Sequence, residues 1–216
     1  MIISRGRRYI FVHAPKTGGT SLALALEARA MKDDIMLGDT PKAARRRRRV
    51  RDVASAGRLW KHSTLRDIEG LVTHDEMAEF FVLTLVRNPW DRLVSYYHWL
   101  RAQKFDHVAV RVAGEVDFPG FLRHRVIRQS LREHPYGSYV QDKAGLDLCD
   151  LYVRLEHLAS DLAPFQAHLG FELGPLPHTN RSVRQRDYRG YYSDEDAEIV
   201  AETCAEDIAR FAYSFD

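Results

Sequence analysis

The chain has 216 residues, 45% of them apolar, and a formal net charge of +2. That length and apolar content suit one domain, residues 1–216, with a buried core, and the mild charge argues against a dedicated nucleic-acid binder. Cys149 and Cys204 stand in apolar or helical surroundings without metal-ligand spacing, so they read as reduced thiols, with a single disulfide left open. No apolar run approaches the roughly 18 residues needed to span a bilayer. The first strand begins so soon after Met1 that no room is left for a signal peptide.

In chain order, the apolar run Tyr9-Ile10-Phe11-Val12 predicts a strand. It runs into His13-Ala14-Pro15-Lys16-Thr17-Gly18-Gly19-Thr20-Ser21 and then an Ala/Leu-rich helix over about 20–32. Gly18 and Gly19 allow conformations that aim successive N–H groups into one concavity. Thr20 and Ser21 set hydroxyls at a helix start, where unpaired N–H groups and the dipole attract an anion. Lys16 and Thr17 add a full positive charge and a third hydroxyl. This is a loop for a phosphate or sulfate group. Its order differs from the G-x-x-x-x-G-K-[ST] loop of nucleotide triphosphatases, because Lys16 precedes the glycines.

A polar, basic helical segment is expected over about 41–56, carrying the run Arg45 to Arg49 and Arg51. Its default is a solvated, self-repelling surface; the alternative is attraction of an anionic acceptor. A short strand is expected at Leu59-Trp60-Lys61-His62, a brief helix from Ser63 or Thr64 through Leu71, and a helix at 75–79. Phe81-Val82-Leu83-Thr84-Leu85-Val86 has the unbroken apolar character of a central parallel strand. It ends in Arg87-Asn88-Pro89-Trp90-Asp91-Arg92-Leu93-Val94-Ser95-Tyr96-Tyr97, in which Leu93, Val94, Tyr97 and Leu100 recur at helical spacing over 91–103. Arg87 thus falls at the carboxyl end of a strand and Ser95 on the next helix, the edge where open α/β sheets bind ligands. Helices follow at 118–132 and 156–169, a strand at 151–154, and a last helix capped by Ser193 and running to about 211. The alternation predicts an α/β fold, a P-loop-like parallel sheet flanked by helices.

Both motifs together, P-K-T-G-G-T-S and V-R-N-P-W-D-R-L-V-S-Y-Y, resemble those of the family-2 sulfotransferases, bacterial relatives of the carbohydrate O-sulfotransferases. The likeness runs from Tyr9 almost to the end, including Leu176 to Ser182, Tyr188, Tyr191-Tyr192 and Ile208 to Phe215; residues 31–55 and 105–147 match no pattern. It implies the sulfotransferase fold and PAPS (3′-phosphoadenosine 5′-phosphosulfate) as sulfuryl donor. Lys16, Thr17, Gly18, Gly19, Thr20 and Ser21 would hold the 5′-phosphosulfate, and Arg87 and Ser95 the 3′-phosphate. Arg184 and Tyr188 are candidates for the 3′-phosphate and adenine in a closing loop, where Arg181 and Arg186 compete on charge alone. The resemblance places the catalytic base at His62, between the two motifs, with a pKa suited to neutral pH. His13 is the rival, and Asp75 or Glu76 a carboxylate alternative. Lys16 would act in catalysis as well as binding, by supporting charge on the bridging oxygen. No metal is expected, since no carboxylate cluster stands ready for one. The acceptor is expected to be a small molecule or glycan, with a carbohydrate or lipid-linked sugar hydroxyl favoured and no nucleic acid or membrane span. A bacterial cytoplasm is the expected setting, and a P-loop nucleotide or small-molecule kinase is the alternative function.

Overall fold

A computed structural model describes residues 1–177, 184–185 and 187–215. The chain divides into two compact units, Met1–Val86 with Tyr136–Thr179 and Arg87–Pro135 with Asn180–Asp216. In chain order its elements are β1 (Ile2–Ser4), β2 (Tyr9–Val12), α1 (Gly19–Ala28), β3 (Ile35–Met36), α2 (Pro41–Arg46), α3 (His74–Glu79), β4 (Phe81–Val86), α4 (Pro89–Arg101), α5 (Val108–Glu115), α6 (Phe118–Arg123) and α7 (Arg125–Glu133). They continue with β5 (Leu151–Arg154), α8 (Leu158–Asp161), α9 (Ala163–Leu169), α10 (Asp194–Thr203) and α11 (Ala205–Phe211). Among the described residues no helix is long and apolar enough to cross a membrane.

The first unit holds the sheet, ordered β3-β1-β2-β4-β5. Its functional half is parallel as expected, with Val12 opposite Thr84 and Leu85 opposite Val153. The Thr84 hydroxyl donates to the Val12 carbonyl (2.9 Å), so a buried polar side chain locks this register where β2 ends. The other half departs from the all-parallel expectation: β1 pairs antiparallel with both β2 and β3. Those strands have three and two residues, too short for alternation to announce them in the sequence. Successive residues of a strand face opposite sides, and Tyr9, Phe11, Leu83, Leu85 and Val153 turn to the side where Leu22 and Leu26 of α1 and Phe165 of α9 close the core. Phe165 is fully buried, its ring 5.2 Å from that of Tyr9 and 5.6 Å from that of Phe81.

The expected strand at 59–62 does not form. The buried Ser63 hydroxyl accepts from the Trp60 N–H (2.9 Å) and donates to the Arg58 carbonyl (2.8 Å), folding the segment into a tight turn. The basic segment is helical only over α2 and a 3₁₀ turn at Arg47–Val50, since consecutive like charges repel along a longer helix. The expected helix from Ser63 or Thr64 shrinks to a 3₁₀ turn at Arg66–Ile68. The expected helix over 156–169 is split into α8 and α9, because Pro164 lacks the N–H a continuous helix needs and instead occupies the first turn of α9.

The second unit is helical. Leu93, Val94, Tyr97 and Leu100 of α4 are all buried, as their spacing predicted, in a core shared with Val112, Phe118, Phe121 and Val200. The expected helix over 118–132 is two, because His124 is extended (φ −65°, ψ 125°) and ends α6 before α7 begins. Cys204 (φ −109°, ψ 23°) likewise divides the last helix into α10 and α11. Both cysteines are free thiols.

Phe165→Ala would empty a fully enclosed ring site between β2, β4 and α9. A loss of about 3–5 kcal/mol is expected, measurable as a lowered urea midpoint.

Candidate active site

The sequence-predicted residues gather in two clusters, one in each unit. In the first, β2 delivers the chain into the 13–21 loop, and the geometry there follows from two left-handed residues. Lys16 has φ 65° and Gly18 φ 81°. The second is ordinary for glycine, whereas the first is a strained conformation for lysine, of the kind that persists where surroundings over-determine it. Thr17, between them, is completely buried and donates its hydroxyl to the Ala14 carbonyl (2.9 Å). That hydroxyl therefore braces the turn instead of facing a ligand.

Gly18 is the N-cap of α1, with no side-chain capping bond and no acidic residue in the first turn. The contrast with α4 is instructive: there the Asn88 side chain accepts from the N–H groups of Trp90 and Asp91. The amino end of α1 has no such side-chain cap: Ser21 N–H donates to the Gly18 carbonyl (3.0 Å), and the N–H groups of Gly19 and Thr20, with the helix dipole, suit an anion, Thr20 and Ser21 being half-buried in the first turn. Gly19 has a separate reason to lack a side chain. A Cβ there would overlap the His13 imidazole, and a Cβ on Gly18 would press on Leu155 at 2.8 Å.

His62 joins this cluster through the turn that replaced the expected strand. Its Nδ1 lies 2.7 Å from the His13 carbonyl oxygen, so Nδ1 carries the hydrogen and Nε2 keeps its lone pair. The ring meets His13 edge-on at 4.8 Å and Trp60 edge-on at 5.0 Å. Burial lowers its pKa to about 4, opposed by the bond to the His13 carbonyl and aided by nearby Lys61. The pKa of His13 lies well below the ordinary value, first from burial and then from neighbouring positive charge, His62 and Lys61 included. Both imidazoles are thus neutral near pH 7, the form a proton acceptor requires. Glu76, the carboxylate alternative, is engaged elsewhere: it pairs with Arg5 and closes the capping box of α3 with Thr73.

The arginine run separates into two jobs. Arg46 donates to the carbonyls of Asp34 and Met31, and Arg49 to that of Lys32, so both anchor the segment. Arg47, Arg48 and Arg51 instead line an open cleft of about 590 Å³ with Val50, Val53 and Leu59. Among the described residues that lining contains no acidic side chain. Lys61 pairs with Asp39 (2.7 Å), whose carboxyl is held below its usual range by Lys61 first and then by Arg47 and His62. The cleft residue Arg47 and His62 therefore share one electrostatic neighbourhood around Asp39.

In the second cluster, Arg87 places Nε 2.9 Å and Nη2 2.6 Å from Asp91 Oδ2. Arg184 Nη2 lies 2.6 Å from Asp91 Oδ1. Ser95 is buried one turn along α4 from Asp91. Tyr188 is tied into the packing: its hydroxyl meets the Asn88 amide and the Phe215 carbonyl, both at 3.3 Å, and its ring meets that of Phe215 edge-on. Arg181, Arg186 and the 178–182 segment lie outside the described residues. Asp39, Trp60 and Asp91 were not singled out from the sequence. Asp91 had a signal there, since it stands four residues after Arg87 at ion-pair spacing.

One titration checks the first cluster. By histidine NMR the free protein should show His62 protonating only near pH 4. Adding 3′-phosphoadenosine 5′-phosphate (PAP) should raise that value, because an anion on the α1 amino end favours the imidazolium. An unliganded His62 titrating near 6.5 would contradict the burial argument.

Comparison with known proteins comes from three directions. None of the curated proteins matches the chain. Among solved structures it is similar to mouse sulfotransferase SULT7A1 complexed with PAP, at 16% identity over 93% of this chain and 82% of that one, with a TM-score of 0.46. The model of the family described as "Sulfotransferase family" matches residues 1–161, which takes in the 13–21 loop, His62, Arg87 and Ser95. On that match the chain belongs to the sulfotransferase family, in its family-2 branch.

Proposed function

We propose that this sulfotransferase moves a sulfuryl group from PAPS to an acceptor hydroxyl of a carbohydrate or lipid-linked sugar, with His62 as the base. The observation that carries the reading is the uncapped amino end of α1, fronted by the left-handed Lys16–Gly18 turn, in one cluster with a neutral histidine whose Nε2 lone pair is available. Lys16 and the N–H groups of the turn would bind the 5′-phosphosulfate, with Thr20 and Ser21 beside them. Arg87 and Ser95 would bind the 3′-phosphate, the group that distinguishes PAPS from ATP, and a guanidinium suits it in shape and charge.

In the transfer, His62 Nε2 takes the proton of the acceptor hydroxyl while that oxygen bonds to sulfur. The bond from sulfur to the bridging phosphate oxygen breaks, and Lys16 supports the charge left on that oxygen. Binding of the anionic donor would itself favour proton uptake by His62, bringing its basicity back toward neutral pH. Among the described residues no group of three His, Cys, Asp or Glu side chains is placed to hold a metal. The Arg47–Arg48–Arg51 cleft, in the same neighbourhood as His62, supports an acceptor that carries negative charge. The setting we attach to this reading is a bacterial cytoplasm.

Titration calorimetry with PAP, set against AMP, ADP and ATP–Mg, tests the donor. PAP should bind far more tightly than AMP and without metal. Arg87→Ala should weaken PAP by about 1.5–3 kcal/mol, as for a hydrogen bond to a charged group, and Lys16→Ala should abolish most turnover while leaving the fold intact. A preference for ATP–Mg would assign the chain to the kinases instead, and unchanged PAP affinity in the Arg87 variant would remove that residue from the site.

A further inference from the structure

Helix α4 offers more than Arg87 and Ser95 account for. Asp91, Ser95 and His98 stand at i, i+4 and i+7, which puts all of them on one face of the helix. Asp91, at the start of this stripe, receives Arg87 on one carboxylate oxygen and Arg184 on the other. Two guanidinium groups sharing one carboxylate leave an excess positive charge. It lies in a largely enclosed place, with both arginine side chains only 12% exposed.

Among the described residues, two nitrogen atoms in this group have no hydrogen-bond partner although both are shielded from solvent: Arg184 Nη1 and His98 Nε2. A shielded polar atom left unpaired costs stability. Native structures keep few of them, and each calls for an explanation. His98 as a residue is half-buried, and its Nε2 atom is the shielded part. Its ring meets Tyr191 edge-on at 5.4 Å and Tyr97 edge-on at 5.6 Å. The charges nearest it are cationic, Arg184 and Arg101, and after burial itself these hold its pKa below the ordinary value. Thus a neutral imidazole, an unpaired guanidinium nitrogen and a buried serine border one cationic stripe.

We propose that His98 and Arg184 complete the 3′-phosphate site: His98 donates Nε2–H and Arg184 donates Nη1–H to the phosphate that Arg87 and Ser95 also hold, and His98 takes up a proton as that phosphate arrives. This rests on the PAPS reading above, in which Arg184 is already a candidate for that phosphate, and extends it to one further ligand, His98, and a proton. Asp91 is then a positioning residue, holding both arginines by one carboxylate. The proton balance is simple. Solvent supplies the proton, His98 holds it while the dianion is present, and both leave together.

Calorimetry of PAP and AMP binding between pH 6 and 8.5, in two buffers of different ionisation enthalpy, counts protons directly. His98→Gln keeps an uncharged donor in reach and cannot protonate. The second ionisation of a phosphate near pH 6 is common to both proteins, so their difference isolates His98. Wild type should take up more protons than the Gln variant on binding PAP, and its affinity advantage should grow about tenfold from pH 8 to pH 6, a change of 1.4 kcal/mol. AMP should bind both proteins alike. Histidine NMR of the wild type supplies a second readout that needs no variant: PAP should raise the His98 pKa and AMP should not. Equal PAP affinity and proton count in both proteins, or a His98 signal indifferent to PAP, would overturn the inference while leaving the donor reading intact. Wild type binding PAP no better than AMP would overturn both.

Discussion

The contact between His13 and Gly19 sets the geometry of the first cluster. The imidazole of His13 lies where any side chain at position 19 would need to be. That allows the helix amino end to pack against the ring, with bare backbone at position 19. The same histidine supplies the carbonyl that fixes the tautomer of His62. One residue just after β2 therefore determines both how the 13–21 turn packs and which nitrogen of His62 keeps its lone pair. The Thr84–Val12 bond, at the last register pair of β2 and β4, secures the strand end from which this follows.

Electrostatics divides the two clusters by different means. Around the 13–21 loop, burial keeps both histidines neutral, so the positive field there comes from Lys16, Lys61 and the backbone. On α4 the field comes from side chains. Asp91 offsets part of the charge of Arg87 and Arg184 and orients both. Each oxygen of its carboxylate receives a guanidinium.

Some of this was legible in the residues alone. The Tyr9–Val12 and Phe81–Val86 strands, the Gly18–Gly19 turn and the buried stripe Leu93, Val94, Tyr97, Leu100 all rest on local signals: continuous apolar runs, paired glycines and helical periodicity. Other elements were not, each for a traceable reason. The strand expected at Leu59–His62 lost to a single serine, because Ser63 offers the backbone hydrogen bonds that a strand would have had to find in a neighbour. The antiparallel edge of β1 and β3 escaped notice because such short strands carry no period. Pro164 broke a helix that its apolar face would otherwise have sustained.

What the sequence determined by itself was chemical identity: a lysine and two glycines after a buried strand, an arginine and a serine after another, and with them the sulfotransferase family. Those facts depend on residue type and short spacing, which survive in a one-dimensional string. The tertiary structure decided which groups act on one another. That the His13 ring needs Gly19, that a backbone carbonyl selects the His62 tautomer, and that Asp91 gathers arginines from positions 87 and 184 are matters of three-dimensional placement. They turn on distances of a few ångströms, and for His13 with His62 and Asp91 with Arg184 the partners lie tens of positions apart, so only the folded chain brings them together.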